Sequence, residues 1–399
     1  MKLTVLGDIM CEPSVLNTSR QKDGSYDFSG VFAKVKPMLA ESDYVISNLE
    51  FPMAGEENGG YTNTYYVFNA PDSYAQATKD AGIDLISTIN NHTLDRGPEG
   101  MLRTLEVLDK VGLPHTGSFD PKKGREEAYY FELDGVKFAV VAYTYTTNKK
   151  IPEDHECFPM MNLLRPLKMP TYTPEVRKKM KTWVDKVFKG MKEEKKSLIK
   201  MCVGLPPTLP RADDFIDEEG VVPYLEQMQA DIRLAKEKAD FVIFYPHVGG
   251  QFNPKPGKFS QLVVQKGLEA GADAILASHS HMVQKAEIID GIPCAWSLGN
   301  FSMSPNSTII AKQMLPGYGL AMHLYLEGKT VVKTTVSILK AVEKRGTQLV
   351  SWPVDELYET LSPKEQKKLE ADAAKVLGWA FDGKYDGPII QREYEVKIE

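Results

Sequence analysis

The sequence predicts an α/β protein, and three observations predict it. Short apolar runs alternate with segments of helical period, as strand–helix units do. The runs that read as buried strands close on residues of the metal-binding kind: Asp8, Glu50, Asn91, His247 and the pair His279-x-His281. Two Asp-Gly pairs, Asp134-Gly135 and Asp290-Gly291, each sit between apolar runs, where a two-residue hairpin turn needs them.

Length and composition bound the reading. A chain of 399 residues can form one large domain with insertions, or two domains. A hydrophobic content of 42% and a charged content of 26% are those of an ordinary globular protein. The net charge of −6 argues against a nucleic-acid partner, which would favour a basic excess. Cys11, Cys157, Cys202 and Cys294 are far apart and read as reduced thiols. No run approaches the length of a membrane span. Met1 reads straight into a strand, so no signal peptide is expected. A cytoplasmic protein is the simplest expectation, and a membrane-associated one follows if an N-terminal anchor has been removed.

Leu3, Val5 and Leu6 make the first strand, which Gly7-Asp8 ends. Residues 17–29 read as a polar loop and 31–39 as a helix. A second strand, 44–47, runs into Asn48-Leu49-Glu50, and Pro52 stops it. Residues 54–66 form a Gly/Asn/Tyr-rich loop. A helix over 73–81 is closed by Gly82. The third strand, 84–90, delivers Asn90-Asn91-His92, followed by Asp95 and Gly97. Pro98 opens the next helix, which runs to Val111, and His115 reads as a turn residue.

A hairpin over 129–142 leads to Tyr143–Asn148. From about 149 to 238 the composition turns to Lys, Pro and Met, and this stretch reads as an insertion. Within it a Lys-dense helix is predicted over roughly 174–196. Its Lys178, Lys181, Lys189, Lys192 and Lys196 read as a solvated face. His155 reads as a surface residue, and a second helix covers 221–238. Strand 241–247 ends in His247, and Val248-Gly-Gly250 lets backbone approach closely. A helix over 260–270 and strand 274–277 lead to His279 and His281. Hairpins over 288–297 and 320–339 follow, with His323 as a core or sheet-surface residue. The main domain is expected over 1–340. Residues 341–399 are expected to be an extension packed on it, with one charged helix at 363–376.

Ligands of open α/β sheets bind beyond the carboxyl ends of the strands. Any one of these strand-end residues is explained by turn chemistry; several in succession are not. Carboxylates and imidazoles together suit two ions of Mn, Fe or Zn, with Glu50 best placed to bridge them. In a local β conformation His279 and His281 would put their rings on one side, serving adjacent ions or one. Two such ions clamp the attacking and leaving oxygens of a phosphoryl displacement. His92, next to Asn91, is a candidate general acid for the leaving group, or a phosphoryl contact.

The ordered segments Gly7-Asp-Ile-Met10, Asn48-Leu-Glu50, Asn90-Asn-His-x-x-Asp95-x-Gly97, Tyr143–Asn148, His247, His279-x-His281-Met-Val-Gln284 and Ser297-Leu-Gly-Asn-Phe301 resemble the calcineurin-like metallophosphoesterase superfamily. More closely they resemble the CapA family, linked to poly-γ-glutamate capsule synthesis. The likeness covers roughly residues 1–148 and 240–326.

It implies a four-layer α/β/β/α sandwich, an anionic small-molecule or polymer substrate, and the capsule-synthesis machinery as partner. It also implies Asn48, Asn90, Tyr143 and Asn300 as substrate contacts. One ion would take His247, His279, Asn91 and Glu50. The other would take Asp8, Glu50 and His281, with Met10 where the superfamily carries a histidine. A thioether is a poor donor beside carboxylates, so the Asp8-side ion is expected to be the weaker. Val248-Gly-Gly250 and Ala277-Ser278 depart from the family pattern. Two functions are therefore carried: a metal-dependent phosphoesterase, and a non-catalytic accessory protein that binds or hands on poly-γ-glutamate. The sequence assigns no oligomeric state.

Overall fold

β1 (Lys2–Ile9) is buried along its whole length, as a strand covered on both faces must be. It pairs in parallel with β2 (Tyr44–Leu49), which is followed by β3 (Leu85–Ser87) and β4 (His115–Thr116). On its other side it pairs antiparallel with β12 (Tyr318–Glu327), followed by β13 (Thr330–Val342) and β14 (Val350–Pro353). β11 (Asn300–Ser302) joins β1, and β15 (Tyr394–Glu395) joins β13. The second sheet runs β5 (Tyr129–Leu133), β6 (Val136–Thr144), β7 (Phe241–His247), β8 (Ala274–Leu276), β10 (Ile292–Ala295), β9 (Ala286–Ile289). The structure is a computed structural model and describes residues 1–61, 67–168, 181–203, 213, 217–306, 313–344 and 346–397.

The period-two alternation of the strands sets the layers. In β7, Phe241, Ile243 and Tyr245 face the first sheet and pack with Leu3, Val5, Ile46 and Leu85. Val242 and Phe244 face the other way, under Met228 and Ile232 of α8 (Glu218–Lys238) and Val263 and Val264 of α9 (Lys258–Ala270). The outer face of the first sheet carries Leu6, Ile9 and Val45 against Val31, Phe32 and Tyr74. The result is the four-layer α/β/β/α sandwich that the resemblance implied.

Several elements differ from the expectation. Pro13–Ser19 is already a helix, α1. The helix expected over 31–39 is two short pieces, α2 (Ser29–Phe32) and α3 (Lys36–Leu39). Pro37 explains the break: without an N–H it is tolerated in a helix's first turn and not in its interior. Helices α4 (Ser73–Asp80) and α5 (Gly97–Val111) stand close to their expected places.

In the insertion, residues 174–180 and Lys178 lie outside the described residues. The remainder of the Lys-dense segment is not one helix but two, α6 (Trp183–Val187) and α7 (Glu193–Cys202), with Gly190 between them at φ +90°. Lys196 is buried there, not solvated. The C-terminal segment does more than pack on the domain. β14 and β15 extend the first sheet, and α10 (Val354–Glu359) is followed by α11 (Pro363–Ala380). α11 puts Leu369, Ala373, Val376 and Leu377 into the core between the sheets. Among the described residues no helix is long and apolar enough to cross a membrane.

Candidate metal centre

Parallel strands bring their carboxyl ends to one edge, and the expected ligands meet there. Asp8 stands near the end of β1, Glu50 just after β2, Asn91 after β3, and His247 ends β7. His279 and His281 follow β8, and all six residues are buried. Gly7 makes one approach feasible. A Cβ there would lie 1.9 Å from the Gly299 carbonyl oxygen, so only glycine lets β11 run against β1 and set Asn300 beside Asp8.

Two donor groups share one carboxylate. In the first, His247 Nε2 lies 2.7 Å from Asn91 Oδ1, 3.0 Å from His279 Nδ1 and 3.5 Å from Glu50 Oε1. In the second, His281 Nε2 lies 3.6 Å from Glu50 Oε1 and its Nδ1 lies 3.7 Å from Asp8 Oδ2. The donor atoms of Glu50, His247 and His279, and those of Asp8, Glu50 and His281, each fall within 4.8 Å of one another.

Both oxygens of Glu50 are buried and have no hydrogen-bond partner. Among the described residues its ion-pair neighbours are the histidines His92, His247 and His281. Burial, and then the nearby Asp8, hold its carboxyl well above the usual carboxylate range. Burial holds His247 down to about 3. It also holds His279 well below its ordinary value, with smaller pushes from the neighbouring imidazoles. At neutral pH these imidazoles are therefore uncharged, with lone pairs available. A buried carboxylate beside the neutral rings of His247 and His279 is short of positive charge, and a divalent cation supplies it. The mix of carboxylate, imidazole and amide oxygen fits Mn, Fe or Zn.

His279 and His281 do not adopt the β conformation expected of them. Their φ angles are +104° and +53°, in the left-handed region that side chains with a Cβ avoid. Such residues cost about 1–3 kcal/mol each and concentrate at functional sites. The turn splits the pair, sending His279 to the first group and His281 to the second.

The residues around the donors hold them in place. Asn48 Nδ2 donates to Asp8 Oδ1 (2.8 Å), and Asn90 Nδ2 donates to Asn48 Oδ1 (3.1 Å). The His279 backbone N–H donates to Asp8 Oδ2 (3.2 Å). Asn300 Oδ1 lies 2.9 Å from His281 Nδ1, and Ser278 Oγ lies 3.1 Å from His247 Nδ1. Asn48, Asn90 and Asn300, expected on substrate, are thus buried and tied to the donors. Tyr143 lies elsewhere. Its hydroxyl donates to Asp231 and accepts from Arg125 Nη2 (2.9 Å), on the helix-covered face of the second sheet. Met10 packs in the core between the first sheet and its outer helices.

His92 Nδ1 lies 2.6 Å from Asp95 Oδ2, which also accepts the Phe68 N–H (2.7 Å). The carboxylate fixes the tautomer with the proton on Nδ1, and leaves Nε2 4.0 Å from Glu50 Oε1. Asp95 stood in the sequence motif without a role; its i, i+3 spacing from His92 is the signal that could have found it. Ser278 carried no such signal, nor did Tyr145, whose ring packs 4.6 Å from that of His279. The buried guanidinium of Arg165 lies 5.3 Å from the Tyr145 ring. The remaining histidines are not donors here. His115 pairs with Asp109 (3.2 Å), His155 accepts the Cys157 N–H (3.1 Å), and His323 sits between two hydroxyls.

Comparison with known proteins places this centre in context. The family described as "Bacterial capsule synthesis protein PGA_cap" matches residues 2–304. The PGA biosynthesis protein CapA of Bacillus subtilis (strain 168) is 23% identical over 321 residues, 80% of this chain and 68% of that protein. The capsule biosynthesis protein CapA of Bacillus anthracis is 23% identical over 322 residues, 80% of this chain and 64% of that protein. The chain thus spans about two thirds of the length of these relatives. Among solved structures, a hypothetical protein from Thermus thermophilus aligns with a TM-score of 0.43 and 16% identity, covering 85% of this chain and 98% of that one.

Proposed function

This chain belongs to the bacterial capsule synthesis protein family, and from that premise we propose that it is a metal-dependent hydrolase acting on a phosphate ester or related anionic substrate in capsule or poly-γ-glutamate metabolism. The observation that carries this reading is Glu50. Its two partnerless oxygens lie between two donor groups, one completed by Asn91, His247 and His279 and the other by Asp8 and His281. Divalent ions held by these groups would supply Lewis-acid polarisation of a substrate oxygen and acidify water.

The chain's own residues do the positioning. Asn48 and the His279 N–H fix Asp8, and Asn300 fixes His281. Asp95 holds His92 by Nδ1–H so that Nε2 faces the donors, where, once it has itself taken up a proton, it can deliver that proton to a leaving oxygen. Arg165, behind Tyr145, places positive charge beside His279, which suits an anionic substrate.

The test is elemental analysis of protein purified with Mn supplied, together with a phosphatase and phosphodiesterase panel run on the wild type and His279→Ala. Bound metal and a turnover lost in the variant support the reading. A wild type that holds no metal, or a variant that turns over at the wild-type rate, overturns it.

A further inference from the structure

We propose that the outward face of α6 and α7 docks on an anionic lipid bilayer. Residues 181–200 carry seven lysines against three carboxylates, a local excess of positive charge in a chain of net −6. The two short helices sort these side chains. Val184, Lys196 and Lys200 are buried, and Lys200 Nζ pairs with Asp185 Oδ1 at 2.9 Å. Lys181, Lys186, Lys189, Lys192 and Lys195 are exposed.

Among these exposed lysines along the chain stand two exposed apolar side chains. Trp183 is 51% exposed and Val187 is 67% exposed. Four residues apart, they share one face of α6. The start of the helix is fixed by a capping box between Thr182 and Asp185, so the pair is presented from an ordered turn.

A merely solvated lysine face has no use for an exposed tryptophan, and a soluble polyanion has no use for Val187. A bilayer uses both. Indole settles at the headgroup level, short apolar side chains enter the acyl boundary, and lysine stems lie along it with their ammonium groups at the lipid phosphates. Each lysine near such a surface strengthens partitioning about fivefold, so five make an attachment that a single apolar pair could not. This surface is independent of the metal chemistry.

The test is flotation of the purified full chain with phosphatidylcholine vesicles, with or without phosphatidylglycerol. The wild type should float with the anionic vesicles only and be released by high salt. Lys186→Glu/Lys189→Glu/Lys192→Glu should lose binding by about 100-fold or more. Trp183→Ser/Val187→Ser should lose about tenfold. Circular dichroism and bound metal equal to the wild type would show that both variants fold. The proposal is overturned if the wild type ignores anionic vesicles or binds neutral ones equally. It is also overturned if the Trp183/Val187 variant binds like the wild type while soluble polyglutamate competes, because the face would then be a polyanion site.

Discussion

Three imidazoles in this protein are about equally buried and wired in opposite ways. His323, His247 and His279 are 0%, 2% and 1% exposed. His323, in β12, has a hydroxyl on each ring nitrogen: Thr4 Oγ1 at 2.8 Å and Ser337 Oγ at 3.0 Å. Ser337 donates its own proton to the Arg392 carbonyl (2.6 Å) and so accepts from Nε2–H, while the Thr4 hydroxyl can donate to Nδ1, so both nitrogens of a neutral ring are satisfied. His247 and His279 instead point nitrogens at one another, 3.0 Å apart, and at a carboxylate whose oxygens have no partner. His92 stands between the extremes, one nitrogen held by Asp95 and the other facing the donors. Burial of a histidine therefore does not mark a ligand. Donor atoms that converge with too few protons to satisfy them do.

The comparison breaks most sharply on metal content. His247→Ala or His279→Ala should each strip the four-donor ion while circular dichroism stays that of the wild type. Full metal in both variants by elemental analysis would remove these residues from the centre. His92→Ala should keep its metal and lose about 10²–10⁴-fold in turnover, the usual contribution of a positioned acid. A variant that loses metal and turnover together would make His92 part of the donor scaffold instead.

Much of this centre was legible in the sequence because strand ends are set by local pattern. An apolar run followed by Asp8, Glu50, Asn91 or His247 says where the side chain emerges, and parallel pairing then brings the ends together. Conformation at single residues was not legible. The left-handed backbone of His279 and His281 depends on packing around the turn, and no propensity announces it at a histidine. Tyr143 failed for a related reason. It precedes the strand-end Thr144, which pairs with His247, and period two turns it to the opposite face. The insertion was least legible. Its lysines gave charge without a hydrophobic period strong enough to locate the break between α6 and α7.

A smaller effect separates the two ions. The first group has four protein donors and the second three, with Met10 packed into the core outside the first sheet. Dialysis against a mild chelator should remove the Asp8-side ion first and leave about one ion per chain. Asn300→Ala frees His281 from its orienting amide and should widen the gap by about 10–100-fold in affinity for that ion. Two ions of equal affinity in a metal titration, or loss of the four-donor ion first, would mean that this partition of the ligands is wrong.

The smallest effect belongs to the satisfied histidine. Burial, with a further push from Lys2, holds His323 down to about 3, against attraction from Glu393. Its folded-state value lies below the unfolded one, near 6.5, so the unfolded chain binds the extra proton between these limits. The stability it contributes is complete above about pH 6.5 and declines as pH falls toward 3. His323→Gln can keep one hydroxyl contact but cannot titrate. It should cost about 1–3 kcal/mol at pH 7, leave metal content unchanged, and lose less stability than the wild type on acidification. Denaturant unfolding of both metal-free proteins from pH 7 to pH 5 cancels what His247, His279 and Glu50 contribute to each alike. A stability gap that narrows with acid is the expected result. A gap constant with pH would mean that His323 takes up its proton as readily in the fold as in the unfolded chain, and a gap that widens with acid would mean that Thr4 and Ser337 hold an imidazolium, not a neutral ring.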